Sequence, residues 1–188
     1  MRVIAGEAKG RTLVIPRGGG TRAATDRIRE TLFAILEPTL AGARVLDLFA
    51  GSGSLGIEAL SRGAALATFV ERDEHALVAL RRNLETTGLG ARTLVVGATV
   101  GGYLERGADG PFDVVFCDPP FADVPVLEAT LARPELRASC APGATVVARV
   151  LRKHPPALPP EATLARERRI GEESLLFLRY RQTAAGGG

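Results

Sequence analysis

Four consecutive residues, Asp118-Pro119-Pro120-Phe121, directly follow an apolar run that is typical of a buried strand. The two prolines fix φ and remove two N–H donors, so the carbonyl groups of this segment are held rigidly. A carboxylate and a fixed carbonyl can together accept both hydrogens of an amino group, while the aromatic ring stacks on the base that carries it. Orienting such a weakly nucleophilic amine is a catalytic task. The segment is therefore a catalytic candidate, with a plain turn as the alternative.

A second candidate segment, Asp47-Leu48-Phe49-Ala50-Gly51-Ser52-Gly53, lies where another predicted strand gives way to a helix. Glycines there let the backbone approach a ligand closely, and the helix beyond offers free N–H groups. Glu71 ends the next predicted strand, where its carboxylate can accept hydrogen bonds from both hydroxyls of a ribose. The two features together predict a nucleoside-containing ligand at the switch point of a sheet.

The identity of that ligand has two candidates. Gly51, Gly53 and Gly56 satisfy the pattern G-x-G-x-x-G, which also occurs in dinucleotide sites. A carboxylate at Asp47 would repel a pyrophosphate but suits a cationic ligand head. S-Adenosylmethionine carries a sulfonium and an ammonium group and no phosphate, so it is the predicted cofactor.

These residues must be positioned by an α/β sheet, because short apolar runs alternate with helical stretches between residues 44 and 151. The predicted helices cover 26–37, 54–62, 73–85, 99–106 and 124–132, and the first has Thr25 or Asp26 as N-cap and Pro38 as its stop. The predicted parallel strands cover 44–49, 67–71, 92–96, 112–118 and 144–151. Two further runs, 163–170 and 174–181, have no helix between them and predict an antiparallel hairpin at the sheet edge.

The N-terminal segment has a different character. Residues 2–5 and 11–15 are short β-prone runs around a glycine-bracketed turn and predict a hairpin. Residues 1–30 hold seven basic and three acidic side chains, whereas the remainder of the chain is slightly acidic. A basic entry segment suits contact with nucleic-acid phosphates, and a segment that is merely soluble is the alternative. The predicted RNA-binding residues are Arg2, Lys9, Arg11, Arg22, Arg27 and Arg29.

Composition limits the remaining possibilities. The length of 188 residues suits one domain, predicted as an arm at 1–20, a main domain at 21–182 and a disordered tail at 183–188. Apolar runs are too short for a membrane span or signal peptide, which predicts a cytoplasmic protein without a membrane partner. We also expect a monomer. Cys117 and Cys140 give no disulfide framework, and together with His75 and His154 they show no metal-ligand spacing.

Several segments carry a family resemblance. The D-P-P-F tetrapeptide resembles the signature of amino-group methyltransferases that act on nucleobases and on glutamine. The series RVIAGEAKGRTLVIP, TRAATDRIRETLFAIL, DLFAGSGSLGIEALSRGA, FVERD and DPPF, in this order and spacing, more closely resembles the RsmD family of 16S ribosomal RNA guanine-N2 methyltransferases. The resemblance covers residues 2–121 well and the C-terminal hairpin loosely.

The resemblance implies a Rossmann-like class I methyltransferase fold, with a seven-stranded, mostly parallel sheet, an antiparallel C-terminal hairpin and an N-terminal β-hairpin. It also implies S-adenosylmethionine as methyl donor and 16S ribosomal RNA, free or in the small subunit, as partner. Catalysis would fall to Asp118, Pro119, Pro120 and Phe121. The implied cofactor contacts are Asp47, Phe49, Gly51, Ser52, Gly53, Glu71, Arg72, Ala98 and Thr25.

The sequence departs from the family pattern near two strand ends. Members often carry a polar residue near Gly97 and Ala98, and often a glutamate near Ala148, where this chain has neither. The alternatives within enzymes are methylation of adenine N6 in DNA or of a protein glutamine. Outside that chemistry they are an inactive RNA-binding module, which the intact D-P-P-F disfavours, and a nicotinamide-dependent oxidoreductase, which the lack of an acid–base histidine disfavours.

Overall fold

The computed structural model describes residues 1–16, 25–119 and 123–181. Five predictions therefore concern positions wholly or partly outside the described residues: the end of the arm at 1–20, Arg22, Pro120, Phe121 and the tail at 183–188. The described part of the chain contains seven strands and six α-helices. No helix in that part is long and apolar enough to cross a membrane.

Helices and strands alternate through most of the chain. The helices are α1 (Asp26–Leu40), α2 (Ser54–Ser61), α3 (Glu74–Thr87), α4 (Val100–Glu105), α5 (Val124–Leu131) and α6 (Pro134–Ala138). The strands are β1 (Arg44–Leu48), β2 (Leu66–Glu71), β3 (Thr93–Gly97), β4 (Phe112–Cys117), β5 (Cys140–Leu151), β6 (Ala162–Ile170) and β7 (Glu173–Tyr180). The short helix α6 was not predicted, and β5 begins four residues before its predicted start.

The strands form one sheet in the order β3-β2-β1-β4-β5-β7-β6. The first five strands in this order are parallel, and β7 is antiparallel to both β5 and β6. This arrangement confirms the predicted Rossmann-like class I methyltransferase fold with its C-terminal hairpin. Because β1, β2 and β4 are parallel, their carboxyl ends meet at one edge of the sheet. The connections reverse direction beside β1, and sheets of this kind bind ligands at that point.

A separate apolar core covers each face of the sheet. One core, which we call the α1-side core, includes Phe33 of α1, Leu60 of α2 and Leu80 of α3. The opposite core is built by α4, α5 and α6 and includes Tyr103 and Leu131. Both faces are therefore covered, which explains why the central strands are nearly continuous apolar runs.

Helix α1 begins as predicted but ends later. The Thr25 hydroxyl accepts a hydrogen bond from the Ile28 N–H, which confirms Thr25 as the N-cap. The predicted stop at Pro38 was wrong, because the helix continues to Leu40. Proline removes one helical hydrogen bond. Leu36 and Leu40 are nevertheless buried on either side of it, and this packing stabilises the last turn.

The two N-terminal runs lie antiparallel as predicted, but a single bridge from Arg2 to Thr12 pairs them. Val3, Ala8 and Leu13 are buried in the α1-side core, so residues 1–16 are built into the domain and do not form a free arm. Gly6 lies against α2, where a Cβ would stand 1.7 Å from the Ser61 carbonyl oxygen. The chain can approach α2 this closely only with glycine at that position.

Strand β6 forms the outer edge of the sheet and is paired only with β7 in the part of the chain that the structure describes. Every residue from 163 to 169 is exposed. The register shifts between Leu164 and Arg166, which marks an irregularity in the strand.

Candidate active site

Three carboxylates lie at the carboxyl edge of the sheet, on three neighbouring strands. Asp47 is near the end of β1, Glu71 ends β2, and Asp118 directly follows β4. Strand β1 lies between the other two strands. The structure thus brings together the three acidic residues that the sequence singled out, and the glycine segment 49–53 connects β1 to α2 beside them.

Asp47 is held beneath the glycine segment. Its side chain is buried, and its Oδ2 accepts a hydrogen bond of 2.9 Å from the Gly56 N–H in the first turn of α2. Burial raises the pKa of Asp47 well above its usual value, and the nearby Asp118 and Glu71 raise it further. A cation bound at this edge would favour the ionised form, whereas an added phosphate would not.

The glycines of the segment have different functions. Gly51 has φ of +55°, and a Cβ there would meet nothing within 4 Å, so its backbone borders open space. At Gly53 a Cβ would lie 2.3 Å from Leu80, and at Gly56 one would lie 2.3 Å from Phe69. Gly53 and Gly56 are therefore required by packing within the protein, and Gly51 is the glycine that leaves room for a ligand. Phe49 precedes them with φ of +61°, which is unusual for a non-glycine residue.

Glu71 organises the backbone at the end of β2. Its Oε2 accepts from the Gly51 N–H, and its Oε1 accepts from the N–H groups of Arg72 and Asp73, each at 2.8 Å. Each carboxylate oxygen has two lone pairs, so Oε1 is fully used and Oε2 retains one acceptor position for a further donor. The Arg72 side chain is exposed.

The predicted adenine side lies at the end of β3. The Ala98 N–H donates to the backbone carbonyl oxygen of Glu71 at 3.0 Å, which places Ala98 beside Glu71. The Thr99 hydroxyl accepts from the Gly102 N–H and caps α4. No contact within the described residues brings Thr25 to this edge. It lies instead in a groove with Gly171 and Glu173.

Asp118 forms an ion pair that the sequence analysis missed. The Nε of Arg149 on β5 lies 3.0 and 3.1 Å from the two carboxylate oxygens of Asp118, and its Nη1 lies 3.2 Å from Glu173. Burial raises the pKa of Asp118, Arg149 opposes that rise, and Glu173 adds to it. One signal was available, because Arg149 interrupts an apolar strand whose neighbours Ala148 and Val150 are buried.

Asn83 on α3 is a second residue that the sequence analysis missed. Its side-chain amide donates to the carbonyl oxygens of Val14 and Ser52, both at 2.9 Å, and its Oδ1 accepts from the Val14 N–H at 2.7 Å. The side chain is fully buried. It therefore connects the N-terminal segment to the glycine segment, in which Ser52 is itself largely buried.

The predicted RNA-binding residues divide into two groups. Arg2, Lys9, Arg11 and Arg27 are exposed. The prediction for Arg29 was wrong: its side chain has no exposed surface, and its Nη2 lies 2.8 Å from Oε2 of the equally buried Glu58. Arg29 also donates to the Arg2 carbonyl oxygen. It holds the N-terminal segment to α2 and is inaccessible to RNA.

Of the remaining reactive side chains, Cys117 lies in the core and both histidines lie at the surface. Cys117 is buried, and burial raises the pKa of its thiol, as expected for a core residue and not for a nucleophile. His75 and His154 are exposed. The residues that the structure describes contain no group of three side chains that could hold a metal ion.

Comparisons with known proteins place the chain in a family. The family model described as Conserved hypothetical protein 95 matches residues 1–179. Ribosomal RNA small subunit methyltransferase D of Escherichia coli is 45% identical over 121 residues, which cover 64% of this chain and 60% of that relative's length. The solved structure of the Escherichia coli protein yhhF is 36% identical, with a TM-score of 0.83, covering 97% of this chain and 99% of that one.

A more distant structure shares the fold. SMU.776, solved in complex with SAH, superposes with a TM-score of 0.65 at 16% identity, covering 85% of this chain and 50% of that chain. At this identity the likeness concerns the fold alone.

Proposed function

Because the chain belongs to the RsmD family, whose model spans residues 1–179, we propose that it transfers a methyl group from S-adenosylmethionine to the exocyclic N2 amine of a guanine in small-subunit ribosomal RNA. The observation that carries the proposal is the position of Asp118. This acceptor lies at the same sheet edge as Asp47 and Glu71, and Glu71 in turn binds the N–H of Gly51, whose backbone borders open space.

The residues present fit the proposed cofactor. Open space over Gly51 admits a ligand, Glu71 offers its remaining Oε2 acceptor position to a ribose hydroxyl, and Asp47 supplies negative charge for a cationic head. The adenine would lie by Ala98, where the backbone supplies the polar contacts because the side chain has none. S-Adenosylmethionine would supply an electrophilic methyl group on a sulfonium, which leaves as a neutral thioether.

The chain's own contribution to the chemistry is orientation of the amine. One oxygen of Asp118 accepts an amine hydrogen, and the proline segment supplies a carbonyl acceptor for the other. Phe121 is proposed to stack on the base and replace the stacking that the base gives up when it leaves its helix. As the N–CH₃ bond forms and the S–CH₃ bond breaks, the amine becomes acidic, and Asp118 accepts a proton that passes on to water.

RNA binding is proposed for the exposed cations Arg2, Lys9, Arg11 and Arg27, with Arg22 added from the sequence alone. The substrate would be 16S ribosomal RNA, either free or in the assembled subunit, and the protein is proposed to act as a cytoplasmic monomer.

The test is product identification. Purified protein is incubated with S-adenosylmethionine and unmodified small subunits or their RNA, and the digested nucleosides are analysed by mass spectrometry. N2-methylguanosine is the expected product. If N6-methyladenosine is the sole product, the target is adenine and not guanine. If calorimetry shows binding of NAD but not of S-adenosylmethionine, the proposal is refuted.

A further inference from the structure

Strand β6 carries a row of cations on one face. Its register pairs Arg166 with Phe177 and Arg168 with Leu175 on β7. Directly opposed residues of antiparallel strands project from the same face of the sheet. Phe177 and Leu175 belong to the α1-side core, so Arg166 and Arg168 project from the face that α1 covers.

The neighbouring residues of β6 project from the other face. Glu167 pairs with Leu176, which lies in the opposite core, and Arg169 lies two positions further on. Arg169 and Glu167 form an ion pair of 3.1 Å. The two faces of β6 therefore differ: one has a neutralised arginine, and the other has two arginines that form no ion pair within the described residues.

A groove lies between the β6–β7 turn and the start of α1, beyond the end of the cationic row. It has a volume of about 550 Å³ and opens between the start of α1 and the β6–β7 turn, with Arg27 on one wall and Ile170 and Gly171 on the other. Ile170 follows Arg168 on the same face and packs against the α1-side core. Glu172 and Glu173 line the groove at the turn, so the turn side of the groove is acidic and the α1 side carries the cation Arg27.

The groove is connected to Asp118 by direct contacts. Glu173 lines the groove and binds Arg149, which in turn binds Asp118. A nucleotide at Asp118 would therefore have its neighbours in the strand at or near this groove. Arg27 lines the groove, and Arg168 lies two residues before Ile170, which also lines it.

We propose that the α1-facing side of β6, with Arg166 and Arg168, and Arg27 across the groove form an RNA-phosphate-binding surface that guides the strand to Asp118. This inference rests on the proposed function, because it takes RNA as the substrate. Arginine suits the task, since its planar guanidinium binds phosphate oxygens in a bidentate manner. The count of charges along the sequence identified only N-terminal cations as RNA-binding residues. The proposed surface adds two cations from the C-terminal part of the chain.

Salt dependence tests the inference. Removing one arginine–phosphate interaction should lower the slope of log K against log salt concentration by roughly 0.7–0.9. The double variant R166Q/R168Q should therefore lower it by about 1.4–1.8, which corresponds to about 10- to 30-fold weaker RNA binding near 0.15 M salt. Affinity for S-adenosylmethionine, measured by calorimetry, should remain that of the unmodified protein.

The matched control is R106Q/R169Q. Arg169 projects from the other face of β6, and Arg106 ends α4 on that same side of the sheet, over the Tyr103 ring. Both double variants lower the net charge by the same amount. If RNA binding depends on where the arginines lie, the salt slope should change much less in the control than in R166Q/R168Q. If it depends only on net charge, the slope should change equally in both double variants.

Three outcomes decide the inference. A larger decrease of slope in R166Q/R168Q than in R106Q/R169Q supports it, and equal slopes overturn it while leaving the proposed function intact if the unmodified protein still methylates RNA. Absence of RNA binding and methylation by the unmodified protein contradicts the proposed function instead. Sedimentation velocity gives the remaining outcome that bears on the inference. If the unmodified protein is a dimer and R166Q/R168Q is a monomer, the edge strand binds a second copy of this chain, and the inference is overturned.

Discussion

The Nε of Arg149 binds both carboxylate oxygens of Asp118, at 3.0 and 3.1 Å, so a cation from β5 fixes the orientation of the proposed amine acceptor. Burial raises the pKa of Asp118, and Arg149 lowers it. Removal of the cation in R149Q should therefore raise the pKa of Asp118 further. Because the ionised carboxylate is the acceptor, the acid limb of the kcat–pH profile should move to higher pH, with activity partly recovered in alkaline buffer.

Replacement of Glu173, the second partner of Arg149, should shift the acid limb of the kcat–pH profile in the opposite direction. Glu173 raises the pKa of Asp118, so E173Q should lower it and move the acid limb to lower pH. The other ionisable groups around Asp118, namely Asp47 and Cys117, are unchanged in both variants. Coincident limbs for R149Q, E173Q and the unmodified protein would show that Arg149 has only a structural role.

Removing the acceptor itself should affect the chemical step. D118A should lower kcat by about 10²–10³-fold, the usual cost of removing one group that orients the transition state. Arg149 would keep its ion pair with Glu173, so the fold should persist. Single-turnover methylation with saturating RNA and cofactor measures the effect. Unchanged turnover in D118A would refute the orienting role.

Glu71 should contribute mainly to cofactor affinity. E71A leaves the N–H groups of Gly51, Arg72 and Asp73 without their acceptor and removes the carboxylate proposed for the ribose. Binding of S-adenosylmethionine should weaken by about 1–3 kcal/mol in calorimetry. The control is E74A, three residues further along, where the side chain is exposed at the start of α3. Equal weakening in both variants would argue against a specific interaction.

Asn83 should stabilise the fold and the glycine segment together. N83A leaves the Val14 backbone groups and the Ser52 carbonyl without partners, which should cost about 1–3 kcal/mol of unfolding free energy in urea denaturation. T86A provides a control on the same helix, because that hydroxyl is exposed. If N83A were as stable as T86A, water would be satisfying these groups and the connection would have little energetic weight.

Arg27 and Arg29, two residues apart, should behave differently. R29M leaves buried Glu58 without one of its cations and should lower the unfolding free energy by about 3–5 kcal/mol, with the salt slope of RNA binding retained. R27Q should keep stability and lower the slope by roughly 0.7–0.9. A lower slope in R29M with normal stability would return Arg29 to the RNA-binding residues.

The sequence sufficed for the residues whose function depends on local pattern. Asp47, Glu71 and Asp118 could be placed at one edge because each follows or ends a parallel strand, and carboxyl ends of such strands meet. The N-cap at Thr25 was equally local. In contrast, Arg149 reaches Asp118 from a strand 31 residues further along, and its link to Glu173 depends on the register of an antiparallel pair.

Arg29 shows the limit of counting charges along a chain. Its charge suggested phosphate binding, but its partner Glu58 lies 29 residues away and both are buried. Burial depends on how α1, α2 and residues 1–16 pack, which no local pattern contains. The same packing makes deletion of the N-terminal segment an unsuitable test of RNA binding, because the deletion would also expose the core around Val3 and Leu13.

The exposed edge of β6 also bears on solubility. An unpaired strand edge can recruit another chain and begin edge-to-edge aggregation, and proteins counter this with charged side chains and local irregularities. β6 has both: arginines at 166, 168 and 169, and the register shift between Leu164 and Arg166. The cations proposed to bind RNA would therefore also keep unliganded molecules apart, and a variant that neutralises them should become more prone to form cross-β aggregates when concentrated.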